Sequence, residues 1–291
     1  MTTDKSRVGI VTVCYDSMSV LPDMLRSVPD GPKIVLVSNA GEGADSPLAV
    51  LARSHGAALI INDRNKGFGV ACNQGAATLD SEFLLFLNPD TSLAPGALDE
   101  LINAADRYPD AVAFNPRLAA RSGAQIFKRH SQLLSRAHQM PRGWPDADTE
   151  VTVLSGAALF VRRQAFERVG GFDPAIFLYH EDDDLALMLA KSGGKLMFVR
   201  DALVTHLEGR SSARSPEIAA LKAWHMGRSR VYATRKHNRR FPFLRALYSA
   251  LGQVFSLQVL FSKRKRAKAV AYLRGVLSTR KDGGARQTSQ P

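Results

Sequence analysis

Two hydrophobic rhythms run along this chain, and they change over near residue 212. Before it, short apolar runs alternate with stretches of helical spacing. Residues 8–14, 33–37 and 57–61 are apolar and largely β-branched, and read as strands. Between them Val20, Leu21, Met24, Leu25 and Val28 recur at helical spacing, and residues 48–54 read as a second helix. This alternation predicts βαβ units and a mostly parallel sheet flanked by helices, an α/β fold with right-handed crossovers. The clearest strand is Phe83-Leu84-Leu85-Phe86-Leu87, an unbroken apolar run that predicts burial on both faces. Asn88-Pro89-Asp90 ends it, because Pro89 has no N–H and Asn and Asp favour turns. Asp90 is thereby expected at the C-terminal edge of a central strand, where open α/β sheets bind ligands.

Further on, residues 95–108 predict a helix and 111–115 a strand. Residues 117–150 have poor periodicity and read as an excursion or a mobile loop rather than core. Residues 151–161 predict a strand with a small-residue break at Ser155-Gly156, followed by a short helix over 164–169. A helix carrying Leu185, Leu187, Met188 and Leu189 is expected to end near Gly193-Gly194, before strands at 196–199 and 202–205. Past Ser215 the pattern is helical with arginines interleaved. An apolar stretch over 241–261, interrupted by Arg245, Gln253 and Gln258, runs into Lys263-Arg264-Lys265-Arg266.

Charge sharpens this division. The net +12 of the 291 residues separates into +17 from Gly209 to Pro291 (19 Lys and Arg against 2 Asp and Glu) and −5 over the remainder. A mildly acidic body therefore carries a basic extension, expected over 213–280, with a polar, disordered tail over 281–291. Two readings of the extension fit: an interfacial segment on an anionic inner-membrane surface, and a helical cap on the body with a solvated basic face. No window offers about 18 uninterrupted apolar residues, so no conventional spanning helix is expected. Cys14 and Cys72 form neither a disulfide framework nor a zinc pattern, and the polar start of the chain has no secretory signature. A cytoplasmic location, with peripheral association to the inner face of the plasma membrane, is expected.

Three clusters bear on chemistry. Asn65-x-Gly67-Phe68-Gly69 precedes a helix, where free N–H groups suit a phosphate or a sugar; tight helix–sheet packing explains the glycines as well. Glu181-Asp182-Asp183-Asp184 opens a helix. One or two acids oppose the helix dipole, but four in succession repel one another, which predicts at least one raised pKa and a general base. His206 follows a strand, and with Asp90 it would make a suitable ligand pair for a divalent ion.

Taken together and in order, these segments resemble a family 2 glycosyltransferase with the GT-A fold, in the rhamnosyltransferase-like branch that builds bacterial surface polysaccharides. The resemblance runs from Val8 to about Ser212, with an echo at residues 269–275. It rests on Thr12 to Tyr15, Asn65 to Asn73, Asn88-Pro89-Asp90, Gly170-Gly171-Phe172-Asp173, Glu181-Asp182-x-Asp184-Leu185 and His206-x-x-Gly209-x-Ser211. It implies that the GT-A domain is residues 1–212 and that Asp90 and His206 hold Mg²⁺ or Mn²⁺. It implies Asp182 as the catalytic base, with Glu181 and Asp184 shaping its environment. Thr12, Tyr15, Ser38, Asn39, Asn65, Gly67, Phe68, Asn73, Asn88 and Asp90 would contact the nucleotide-sugar donor. The acceptor would be a saccharide or a polyprenyl-linked saccharide, transfer would be inverting, and nucleic acid is not an expected partner. One departure stands out: many relatives carry Asp-Asn where this chain has Ser38-Asn39, so the carboxylate that reads the donor base is missing. A non-catalytic nucleotide-sugar binder, or a nucleic-acid binder using the basic segment, is the alternative reading.

Overall fold

The computed structural model describes residues 3–207 and 215–280. The first half follows the expected alternation: β1 (Val8–Cys14), α1 (Leu21–Ser27), β2 (Lys33–Ser38), α2 (Pro47–Ser54), β3 (Ala58–Ile61), α3 (Phe68–Ala76) and β4 (Phe83–Leu87). Its strands lie parallel in the order β3-β2-β1-β4. Next come β5 (Thr91–Leu93), α4 (Ala97–Arg107), β6 (Ala111–Ala120), β7 (Gln125–Ile126), β8 (Thr149–Glu150), β9 (Ala158–Arg162), α5 (Arg163–Arg168), α6 (Glu181–Lys191) and β10 (Lys195–His206). The sheet continues β4-β9-β6-β10-β5, with β7 on β6 and β8 on β10.

This second half is not mostly parallel. Only β6 and β10 run parallel there, whereas β9 is antiparallel to both β4 and β6 and β5 is antiparallel to β10. The reason is local. No helix crosses over between β6 and β9, so the chain returns from the excursion in the opposite direction. The expected strand at 151–161 is correspondingly shortened. The buried Asn115 amide donates to the Ser155 and Ala158 carbonyls and accepts from the Ser155 N–H, taking the place of ladder bonds at the Ser155-Gly156 break. The two short strands expected near 200 are one strand, β10, with a register shift between Val199 and Leu203.

Alternation along β4 sets the core. Phe83, Leu85 and Leu87 pack with α1, α2 and α4 on one face; Leu84 and Phe86 pack with α3, α5 and α6 on the other. All five are buried, so this strand has no solvent face.

The extension folds as α7 (Pro216–Lys236), α8 (Pro242–Val254), α9 (Leu257–Phe261) and α10 (Lys263–Ser278). Ala223, Val231, Ala246, Ala250, Tyr272 and Val276 form its own small core. The segment at 269–275 lies on α10, where Ala269 and Tyr272 are buried and Gly275 admits the Trp224 backbone of α7. Among the described residues no helix is long and apolar enough to cross a membrane. The expected boundary at 212, the tail over 281–291, Gly209 and Ser211 lie outside the described residues.

Candidate active site

The C-terminal ends of β1, β4 and β10, the start of α6 and one face of α7 enclose a cleft of about 360 Å³. One wall is Tyr15, Asn39, Asn65, Gly67 and Phe68, and another is Asn88, Pro89 and His206. Glu181 and Asp182 face them from the first turn of α6. Most of the residues expected to bind donor or carry catalysis thus meet in one place, although they come from strand ends spread over nearly two hundred positions.

The short ribbon β5–β10, which the sequence pattern did not reveal, brings Asp90 to His206. His206 pairs with Thr91 in register, and the Leu207 N–H donates to the Asp90 carbonyl at 2.8 Å. His206 Nε2 comes within 3.4 Å of Asp90 Oδ1, with the Asp90 side chain 2% exposed. One carboxylate and one imidazole fit a hard or borderline divalent ion whose other positions are filled by ligand oxygens and water. Among the described residues no three His, Cys, Asp or Glu side chains converge on a metal position.

The acidic turn is held differently from the expectation. Lys128, from the aperiodic excursion, reaches Asp182 and Asp183 at 2.8 Å each. Asp182 Oδ2 also accepts the Gly156 N–H at 2.9 Å, and Oδ1 accepts the Asp183 N–H at 2.8 Å. Asp182 is therefore steered by a cation and two backbone donors rather than left in an uncompensated negative field. Burial alone would raise Asp183, but the His180 imidazole and Lys128 outweigh it and hold its carboxyl at about 2. The group that is pushed up is Glu181: burial first, then the Asp182 charge, carries it to about 8. Glu181 Oε2 has no hydrogen-bond partner among the described residues, an open position for a ligand hydroxyl. Just before it, Tyr179 and His180 both take left-handed backbone conformations (φ +66° and +70°), costly for such side chains and characteristic of sites where function imposes the geometry.

Some expected site residues lie outside the cleft lining, and two that line it, Gly67 and Asn39, also hold its structure. Asn73 donates to the Phe172 carbonyl at 2.8 Å and accepts the Phe172 N–H at 2.9 Å, clamping the Gly170-Gly171-Phe172 turn. Gly67 (φ +88°) makes a close approach, but to Phe177: a Cβ there would lie 2.5 Å from the Phe177 carbonyl oxygen. Asn39 donates to the Gly67 carbonyl and so fixes that turn. Thr12 is fully buried within β1. Asp184 points away from the cleft into an ion-pair cluster, with His237 Nε2 at 2.7 Å and Lys236 Nζ at 2.8 Å. Ser38 is buried and donates to Glu42 Oε2 at 3.0 Å. The carboxylate missing at position 38 thus returns from four residues further on.

Sequence reading also missed what α7 supplies. Ile218, Leu221, Lys222 and His225 complete the cleft. Burial pulls the Lys222 ammonium below its ordinary value, with the Asp90 charge opposing. His225 stacks on Phe177 (4.0 Å between centroids), and burial, then Arg228, lowers it to about 4, so it is neutral at ordinary pH. Nothing in the amphipathic spacing of α7 distinguishes its cleft-facing residues from a solvated face; their role depends on where the helix docks.

Comparison with known proteins agrees with this geometry. Residues 9–170 match the sequence profile described as Glycosyl transferase family 2. The chain is 29% identical over 269 residues to the N-acetylglucosaminyl-diphospho-decaprenol L-rhamnosyltransferase of Mycobacterium tuberculosis, covering 79% of this chain and 84% of that one. It is 29% identical over 184 residues to the rhamnosyltransferase WbbL of Escherichia coli, covering 58% and 69%. Among solved structures, the mannosyltransferase PcManGT of Pyrobaculum calidifontis, in complex with GDP-Man and Mn²⁺, superposes with a TM-score of 0.57 at 15% identity, covering 95% of this chain and 88% of that one. The architecture is the GT-A fold, with the helical extension appended.

Proposed function

We propose that this chain, which belongs to glycosyl transferase family 2, moves a sugar with inversion from a nucleoside-diphosphate sugar to a hydroxyl of a lipid-linked saccharide. The pathway would be the building of a bacterial surface polysaccharide. The observation that carries this reading is a single cleft that brings together the His206 of an acid–imidazole pair, the buried Glu181 whose carboxyl is pushed up by burial, and Asp182 held by Lys128 and the Gly156 N–H. The name of the Mycobacterium tuberculosis relative supports a lipid-linked acceptor, and the names of both rhamnosyltransferase relatives make a rhamnosyl donor the first to test.

Tyr15, Asn65, Phe68 and Asn88 bound the donor side. Asp182 takes the proton of the acceptor hydroxyl as its oxygen bonds to the anomeric carbon, while the bond from that carbon to the diphosphate oxygen breaks and its electron pair leaves with the diphosphate. Such general-base help is worth about 10²–10⁴-fold. Lys128 and the Gly156 N–H fix the Asp182 carboxylate in one orientation. Glu181, protonated near neutral pH, donates a hydrogen bond to the incoming acceptor and adds no second charge beside the base. Lys222 brings positive charge to the diphosphate side from α7. Asp90 and His206 would hold Mg²⁺ or Mn²⁺, which when bound neutralises charge on the departing nucleoside diphosphate. The enzyme would work peripherally on the inner face of the membrane that carries its acceptor.

A thermal-shift screen of nucleoside diphosphates and their sugars, with and without Mn²⁺ or Mg²⁺, tests the donor and metal assignments together. Stabilisation by one nucleotide-sugar that requires the ion, and that Asp90→Ala abolishes, is the expected result. Equal stabilisation of wild type and Asp90→Ala by the ion–nucleotide mixture would contradict the metal assignment.

A further inference from the structure

The helix α8 is turned inside out. Phe241, Leu244, Tyr248, Leu251 and Phe255 follow one another at intervals of three and four residues, which places them along one side of the helix, and all are exposed. Tyr248 and Phe255 are 83% and 80% exposed, and beyond them Leu257 and Phe261 of α9 are 75% and 88% exposed. The opposite side packs inward: Ala246 and Ala250 are fully buried among Ala223, Tyr272 and Val276, with Phe243 and Leu247 partly buried against them. A surface helix ordinarily buries its large apolar residues and shows its polar ones. Here Ala246, Ala250, Phe243 and Leu247 already seat the helix, and a second aromatic and aliphatic ridge faces out. Solvent does not stabilise such a ridge, and contiguous exposed apolar surface marks a docking face.

Charge identifies the occupant. From Ile218 to Lys281 the chain contains no aspartate or glutamate. Lys263, Arg264, Lys265 and Arg266 follow the ridge immediately and are exposed. We propose that the outward ridge of α8 and α9 docks this protein on a bilayer containing anionic lipid, with the ridge inserted among the acyl chains and the basic cluster at the level of the headgroups. A second copy of the chain would set two strongly positive segments against each other. A nucleic acid would satisfy the basic groups but leave Leu244 and Leu257 uncovered. An anionic bilayer meets both demands at once. The net negative body is repelled by the same surface, which favours one orientation. Because α7 both lines the cleft and supports α8, docking holds the cleft near the membrane.

The inference deepens the membrane location proposed above, but its test involves no sugar transfer, so the two readings fail separately. The full-length protein is floated with vesicles of phosphatidylcholine alone and of phosphatidylcholine with phosphatidylglycerol. Wild type is expected to float only with the mixed vesicles and to be weakened by salt. Tyr248→Ser with Phe255→Ser and Phe261→Ser, all at exposed positions, is expected to lower the apparent affinity about tenfold or more while its melting temperature stays that of wild type. Neutralising Lys263, Arg264, Lys265 and Arg266 to Gln should remove the preference for anionic vesicles. No flotation by wild type, or undiminished flotation of the ridge variant, would overturn the proposal. So would a wild-type dimer in sedimentation velocity that the ridge variant dissolves without any change in vesicle binding.

Discussion

The helices α7 and α8 follow one another in the sequence yet meet opposite fates: α7 carries Lys222, Arg228, Arg230, Arg235 and Lys236, whereas α8 is largely apolar with Arg245 its one basic residue. Several polar side chains of α7 and its C-terminal end have partners in the body. Ser229 donates to the Leu178 carbonyl, Tyr232 to Asp173, and Lys236 bridges Asp173 and Asp184 while His237 holds the other Asp184 oxygen. By contrast Leu244, Tyr248 and Leu251 of α8 stay exposed, while Phe243 and Leu247 pack within the extension itself. What separates the two helices is their own charge and pattern together with the placement of carboxylates some fifty residues upstream that receive α7 (Asp184 to Lys236 spans 52 positions). Docking the basic α7 requires acidic counterparts on the surface that receives it, and Asp173 and Asp184 of the body supply them.

This contrast breaks most visibly at Lys236. Its replacement by Ala leaves Asp173 and Asp184 to share fewer counter-charges, one of them 1% exposed. A loss of roughly 2–3 kcal/mol in denaturant unfolding is expected. Tyr248→Ser on α8 should change stability by less than about 0.5 kcal/mol. Equal costs for the two changes would remove the distinction between a docked helix and an unpartnered one.

A second consequence is catalytic. If α7 is part of the site, Lys222→Met should raise the donor KM about tenfold with little change in melting temperature, because it removes one charge beside the diphosphate. An unchanged KM would return α7 to a purely structural role.

Much of the body was legible because its signals are local. The Phe83–Leu87 run lies where its unbroken apolar pattern placed it, since a strand covered on both faces has no polar positions to blur it. The glycines and Asn73 of the 65–75 segment were legible as a motif but not in their roles. Their partners, Phe172 and Phe177, lie about a hundred residues away. Lys128 was hidden in an aperiodic segment, and nothing local marks a lysine that will cross to Asp182 and Asp183. The ribbon of Thr91–Leu93 with β10 was too short to carry a pattern. Four acids in a row did announce a raised pKa, but which one rises depends on burial and on Lys128. The structure gives it to Glu181.

That assignment has a pH signature. Glu181 binds its proton more tightly folded than unfolded. Its contribution to stability is therefore complete below the unfolded value of 4.5 and is lost as pH rises through about 8. Wild type should lose several degrees of melting temperature relative to Glu181→Gln across that interval. Parallel curves for the two proteins would show that Glu181 is not the proton-holding member of the turn.

The smallest effect expected is one of ranking only. Glu42 accepts a hydrogen bond from Ser38 and so sets a carboxylate beside the end of β2. Glu42→Gln should alter the order in which UDP, dTDP and GDP stabilise the protein while leaving the fold intact. An unchanged order would mean that neither residue reads the base.

The central claim is that Asp182 carries the proton while the opposite wall binds the donor. Asp182→Asn keeps the size of the side chain and an acceptor for the Gly156 N–H but cannot take a proton at its amide. Measured with the donor and acceptor that the screen identifies, it is expected to bind donor with nearly wild-type affinity and to lose about 10²–10⁴-fold in kcat. Near-full turnover by Asp182→Asn would contradict the account, and Glu181, the other carboxyl group in the cleft, would then have to supply the base.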